Sequence, residues 1–187
     1  MTPESQPSVS LSPRQPLGWP CRERGLFMAT IGRVLFTRID ENLDPNSFER
    51  FLVELERSID LRTPGQRLGI IYDVPEIGLN DAVRRRRVAD ILREREAVLG
   101  STTAGFALAS PSRMVRGMLE AIFWIAPPPY PHTTVEGVRE GLVFLNQFLP
   151  EVDPEAYEFE YQRLLARNGV VTSGPAIGSL ATPGTTH

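Results

Sequence analysis

The stretch RLGIIYDV, residues 67–74, decides the fold. It is short, almost continuously apolar, β-branched at its centre and closed by an aspartate. A run of this kind reads as a central strand buried on both faces. Such a strand asks for helices above and below it, so the flanking segments should alternate between strand and helix.

Upstream they do. Ile31 to Asp40, IGRVLFTRID, is rich in β-branched and aromatic residues and predicts one strand. Asp44 as N-cap and Pro45 at the first helical position then open a helix, with Phe48, Phe51, Leu52 and Leu55 at helical spacing as far as Ile59. Thr63-Pro64-Gly65 stops it. Downstream, Asn80 caps a long charged helix to Leu99 whose apolar stripe is Val88, Ile91, Leu92, Val98 and Leu99, and Gly100 ends it. TTAGFALAS, residues 102–110, predicts a third strand, and Ser110-Pro111 starts a helix running to Trp124.

The stretch FWIAPPPYPH, residues 123–132, is first of all a corner. Pro127, Pro128 and Pro129 remove donors and clash with the preceding turn, so the helix must end there. A fourth strand is then cut to about Tyr130 to His132, because Thr133 and Glu136 read as a capping box for the next helix. Asp153-Pro154 opens a last helix, acidic at its start. The expected architecture is α/β: one domain over 28–150 with a small mixed sheet of about four strands and crossover helices, followed by a C-terminal helix over 151–168. Residues 1–27 and 169–187, rich in proline, serine and glycine and without an apolar period, are expected as a disordered leader and tail. Glu23-Arg24-Gly25 can be encoded by a purine-rich ribosome-binding stretch just before Met28, so a translational start at Met28 is also expected.

Composition closes off several chemistries. The 187 residues carry a net charge of −3, so no basic field draws the chain toward nucleic acid or anionic lipid. All 20 basic residues are arginine. Without lysine there is no P-loop amine, Schiff base or pyridoxal phosphate anchor; the bias itself fits a GC-rich genome. One cysteine, Cys21, and two histidines, His132 and His187, make neither an internal disulfide nor an ordinary zinc site. No secretory signal is evident, and no apolar run approaches the roughly 20 residues that span a bilayer. A cytoplasmic protein with no cofactor is expected.

The core resembles the STAS-like family, the anti-sigma-factor antagonists and their relatives. The resemblance rests on the order of elements, on IIYDV as the central strand, and on SRMVRGMLEAIFWIAPPPYP, residues 112–131, which is similar to an SxxVRGxxxAIFWxxPPPxP segment of one branch. It implies a non-catalytic protein-interaction module of bacterial signalling or regulation. The family's phospho-acceptor lies between the central strand and the next helix, but Pro75 to Asp90 contains no serine or threonine. The implied module therefore works without a phospho-switch.

Two surfaces are candidates for binding. Asn80 and the run Arg84, Arg85, Arg86 and Arg87 lie at the helix start where relatives meet their partners, and guanidinium forks suit a partner protein with an acidic surface. Helical spacing turns Arg85 and Arg86 outward, while Arg84 and Arg87 flank the apolar stripe. The competing reading is a solvated face, and the acidic run Glu151 to Glu160 could also fold across the patch. Phe123, Trp124 and Tyr130 could instead wall a site for a small hydrophobic ligand or lipid, which makes a carrier the alternative function. Their competing role is core packing. Asp73 and Glu76, at the carboxyl end of the central strand, are the only pair suggesting acid-base chemistry. A homo-oligomer is left open.

Overall fold

The computed structural model describes residues 21–23, 25–40, 43–75, 82–125 and 127–170. Its centre is β4 (Leu68–Asp73), the strand expected from RLGIIYDV. It pairs in parallel with β3 (Val34–Ile39) on one side and β5 (Thr103–Ala109) on the other. The sheet has six strands in sequence order: β1 (Cys21–Glu23) and β2 (Leu26–Ile31) add to β3 antiparallel, and β6 (His132–Val135) adds to β5 in parallel.

Each parallel step needs a crossover. α1 (Pro45–Asp60) links β3 to β4, α2 (Ala82–Glu94) and α3 (Glu96–Thr102) link β4 to β5, and α4 (Arg113–Ile125) links β5 to β6. Crossovers of one hand between strands in sequence order put these helices on one face of the sheet. There Leu26, Met28 and Leu35 pack with Phe48, Phe51, Leu52, Leu55 and Ile59 of α1 and Leu99 of α3. The opposite face carries α5 (Val138–Asn146) and α6 (Pro154–Arg167), whose Leu142, Leu145, Tyr161 and Leu165 pack on Phe27, Val34, Phe36, Ile71 and Ala107. Two glycines set how closely α5 lies on the strands. A Cβ at Gly69 would stand 2.7 Å from Leu145 Cδ1, and one at Gly105 3.0 Å from Leu145 Cδ2.

The Asp-Pro starts behave as expected: Asp44 accepts from the N–H groups of Asn46 and Ser47, and Asp153 from those of Glu155 and Ala156. Elsewhere the structure corrects the sequence. IGRVLFTRID is not one strand, because Gly32, at φ 53°, and Arg33 form a two-residue hairpin loop between β2 and β3. Order begins before Met28: Leu26 and Phe27, placed in the expected leader, are 2% and 1% exposed, and the backbone of Cys21–Glu23 pairs with β2. The expected leader's residues 1–20 and the tail from 171 lie outside the described residues.

The sheet thus exceeds the four strands anticipated by the hairpin partner and the short β1. Gly100 does not stop a helix, since it lies inside α3, and the long helix instead breaks at Arg95. Thr133 forms no capping box. It belongs to β6, paired with Ala107, and α5 starts after Gly137 with no side-chain cap. α4 begins two residues beyond Ser110-Pro111, with the Val115 N–H donating to Ser112 Oγ.

Candidate functional site

The arginine run is already engaged with α1. Arg84 donates from Nη1 to the Leu43 carbonyl at 2.7 Å, and its guanidinium lies 5.0 Å from the Phe48 ring centroid. Arg87 forks onto Glu49, Nη2 donating to Oε2 at 2.8 Å and Nη1 to Oε1, and this hydrogen bonding holds the Glu49 carboxyl below the usual range. These two side chains flank the apolar stripe as the helical spacing requires. The internal compensation comes from Glu49 rather than from the acidic run 151–160. Within that run Glu151 meets Arg33, Glu155 and Glu158 meet Arg139, and Glu160 meets Arg163. Arg86 is exposed. Asn80, Glu76 and the side chain of Arg85 lie outside the described residues.

Asp73 is consumed by structure. Its Oδ2 accepts from Arg38 Nη1 at 2.7 Å and from the Tyr161 hydroxyl at 2.9 Å, tying β3 and α6 to the end of β4. Burial works to lower the Arg38 pKa, but Asp73 outweighs it and the net shift is upward. Tyr161, stacked on Phe36 at 4.5 Å between centroids, is pushed well up, first by burial and then by Asp73. Both bonds fall on Oδ2, so this oxygen serves to tie the three elements together.

The proline corner separates its aromatics. Phe123 and Tyr130 meet around Phe106, at ring-centroid distances of 6.0 and 6.5 Å, on the face that carries α1. Tyr72 stands edge-on to Phe106 at 5.3 Å, and Phe123 edge-on to His132 at 4.9 Å. His132 also places Nδ1 3.1 Å from the Tyr130 carbonyl. Neighbouring positions on a helix diverge by about 100°. With Phe123 turned inward, Trp124 turns out and is 88% exposed, so it takes no part in either a wall or the core.

Trp124 instead belongs to an uncovered apolar strip. Met114, 82% exposed, Gly117, Ala121 and Trp124 recur at helical spacing along the outer face of α4. A Cβ added at Gly117 would meet nothing within 4 Å, which leaves a shallow notch between the two large side chains. Sequence reading missed this strip because it offered Trp124 only as part of a ligand wall or of the core and gave Met114 no role. It also missed Tyr72 and Phe106, which enter the ring cluster from β4 and β5. Among the described residues no three His, Cys, Asp or Glu side chains come together as metal ligands, and no helix is long and apolar enough to cross a membrane.

No family model and no curated protein matches the sequence. Among solved structures, one described as an uncharacterized protein from the DUF3478 family with a SpoIIAA-like fold, from Shewanella loihica PV-4, is similar. The TM-score is 0.48 and the identity 13%, over 68% of this chain and 90% of that one.

Proposed function

We propose that the protein is a non-catalytic, STAS-like interaction module that docks a partner protein through the outer face of α4, without a phospho-switch. One observation carries the reading: Met114 and Trp124 are 82% and 88% exposed on one strip of α4, a helix whose Val115 is buried and whose Phe123 meets Phe106 of the sheet. Large apolar side chains gathered on one exposed strip mark interaction surfaces, and tryptophan is enriched among residues that dominate binding energy. The notch at Gly117 and Ala121 suits an apolar side chain of the partner. The arginine run is the weaker surface, because Arg84 and Arg87 are held by α1, leaving Arg86 to contribute charge at the rim.

Site-specific photo-cross-linking tests this in cells of the native organism. A benzophenone side chain at position 124 should give one discrete adduct, and the same group at exposed Gln162 on the far side of the sheet should not. Equal labelling at both positions, or none at 124, refutes docking at α4.

A further inference from the structure

The exposed strip of α4 has a symmetry of its own. Along it come Met114, Gly117, Ala121 and Trp124, spaced three, four and three residues apart and ordered large, small, small, large. At 100° per residue all four fall within an arc of about 80°. Both pairs share one midpoint, position 119. A two-fold rotation about that point therefore exchanges Met114 with Trp124 and Gly117 with Ala121.

Charge does not interrupt the strip. Arg116 turns back, its Nη1 donating to the Ser110 carbonyl, and Glu120 is drawn aside to accept from Thr134 Oγ1. Arg113 stands at the first turn, before Met114. The middle of the strip admits a close approach: Gly117 and Ala121 are exposed, and a Cβ at Gly117 would meet nothing within 4 Å. Small residues four apart let two helix backbones cross closely. Crossing helices diverge away from their point of contact. Met114 and Trp124, each roughly 7 Å along the axis from the midpoint, are placed to fill that widening space.

We propose that the partner docked on α4 is a second copy of this chain. The two α4 helices pair antiparallel across a two-fold axis, with Trp124 of each copy against Met114 of the other and Gly117 against Ala121. A two-fold dimer requires a self-complementary patch, and a foreign partner requires no such symmetry. The antiparallel pair sets thioether against indole and opposes the two helix dipoles, whereas a parallel pair would bring Arg113 against its own mate. Met114 and Trp124 bare roughly 400 Å² per copy, about half of what each partner buries in a standard interface, so the dimer is weak and concentration-dependent. The inference rests on the docking reading of α4 and names its partner.

Sedimentation equilibrium of the full chain over a wide dilution series tests it. The mass should rise with concentration toward twice the 20.9 kDa of one chain. Met114→Ala/Trp124→Ala should weaken association at least tenfold while the circular dichroism stays native. Gly117→Leu separates a close crossing from a surface that is only sticky: the added side chain has room in the single chain and enlarges the apolar area, yet it should also weaken association at least tenfold. In a Cys21→Ser background, Gly117→Cys chains should form a disulfide with Ala121→Cys chains and not among themselves. Disulfides within each variant alone point to parallel helices and overturn the antiparallel pair. Undiminished association in Met114→Ala/Trp124→Ala, or tighter association in Gly117→Leu, overturns the dimer through α4. A chain that stays monomeric throughout overturns the second copy; docking at α4 then stands if benzophenone at position 124 gives an adduct of another mass, and falls with it if there is none.

Discussion

Replacing Arg38 with methionine should destabilise the protein by about 3–5 kcal/mol, because it strands Asp73 as a buried charge without its ion-pair partner. The side chains of Arg38 and Asp73 are 7% and 13% exposed, so water cannot take over the missing contact. Tyr161→Phe removes one hydrogen bond to the same carboxylate and keeps the ring stacked on Phe36. It should cost about 1.5–3 kcal/mol. Arg38→Met combined with Asp73→Leu removes both charges and should recover most of the loss, since apolar replacement of a buried pair is often neutral. Urea unfolding followed by circular dichroism measures all three variants. In a domain of this size the Arg38 change should lower Tm by roughly 6–20 °C. A cost of less than about 1 kcal/mol for Arg38→Met, or no recovery in the double variant, would refute the view that this network clamps α6 to the sheet.

Gly69→Ala places its Cβ 2.7 Å from Leu145 Cδ1 and should cost about 1–3 kcal/mol by overpacking, with Leu145→Val relieving part of it in a combined melt. Trp124→Ala should shift stability by less than about 0.5 kcal/mol, whereas Leu142→Ala, at a fully buried position, should cost about 2–5. Tyr72, Tyr130 and Tyr161 all have raised folded pKa values. The stability they contribute is therefore complete below about pH 10, the free tyrosine value, and is lost as pH rises through the folded values. An alkaline titration should show their phenolate absorbance appearing together with loss of circular dichroism; ionisation of these phenols in a native fold contradicts their burial.

What the sequence disclosed follows the range of the interactions. β4, β5, α1 and α6 were legible because their signals are local: an apolar run, a helical stripe, or an Asp-Pro start whose capping bonds span two or three residues. The hairpin was not, since Gly32 is a single turn residue inside a continuous run of apolar and β-branched residues. β6 was obscured because its four residues are all half-buried and show no alternation. The roles of Arg84 and Arg87 depend on Leu43 and Glu49, about forty positions away in the chain, and no spacing rule reports such pairings. The aromatic corner was visible as composition. Its division into an inward Phe123 and an outward Trp124 was not, because the rotational phase of α4 is fixed by Phe106 and His132 on other elements.

The affinity of the cross-linked partner for three forms of the protein tests the docking claim most directly. The wild type, Met114→Ala/Trp124→Ala and Arg86→Glu should be compared at low and high salt. Docking on the apolar strip predicts at least tenfold weaker binding for the α4 variant, little change for Arg86→Glu, and a shallow salt dependence. Undiminished binding by the α4 variant, with loss in Arg86→Glu and steep weakening by salt, would move the interface to α2 and contradict the account.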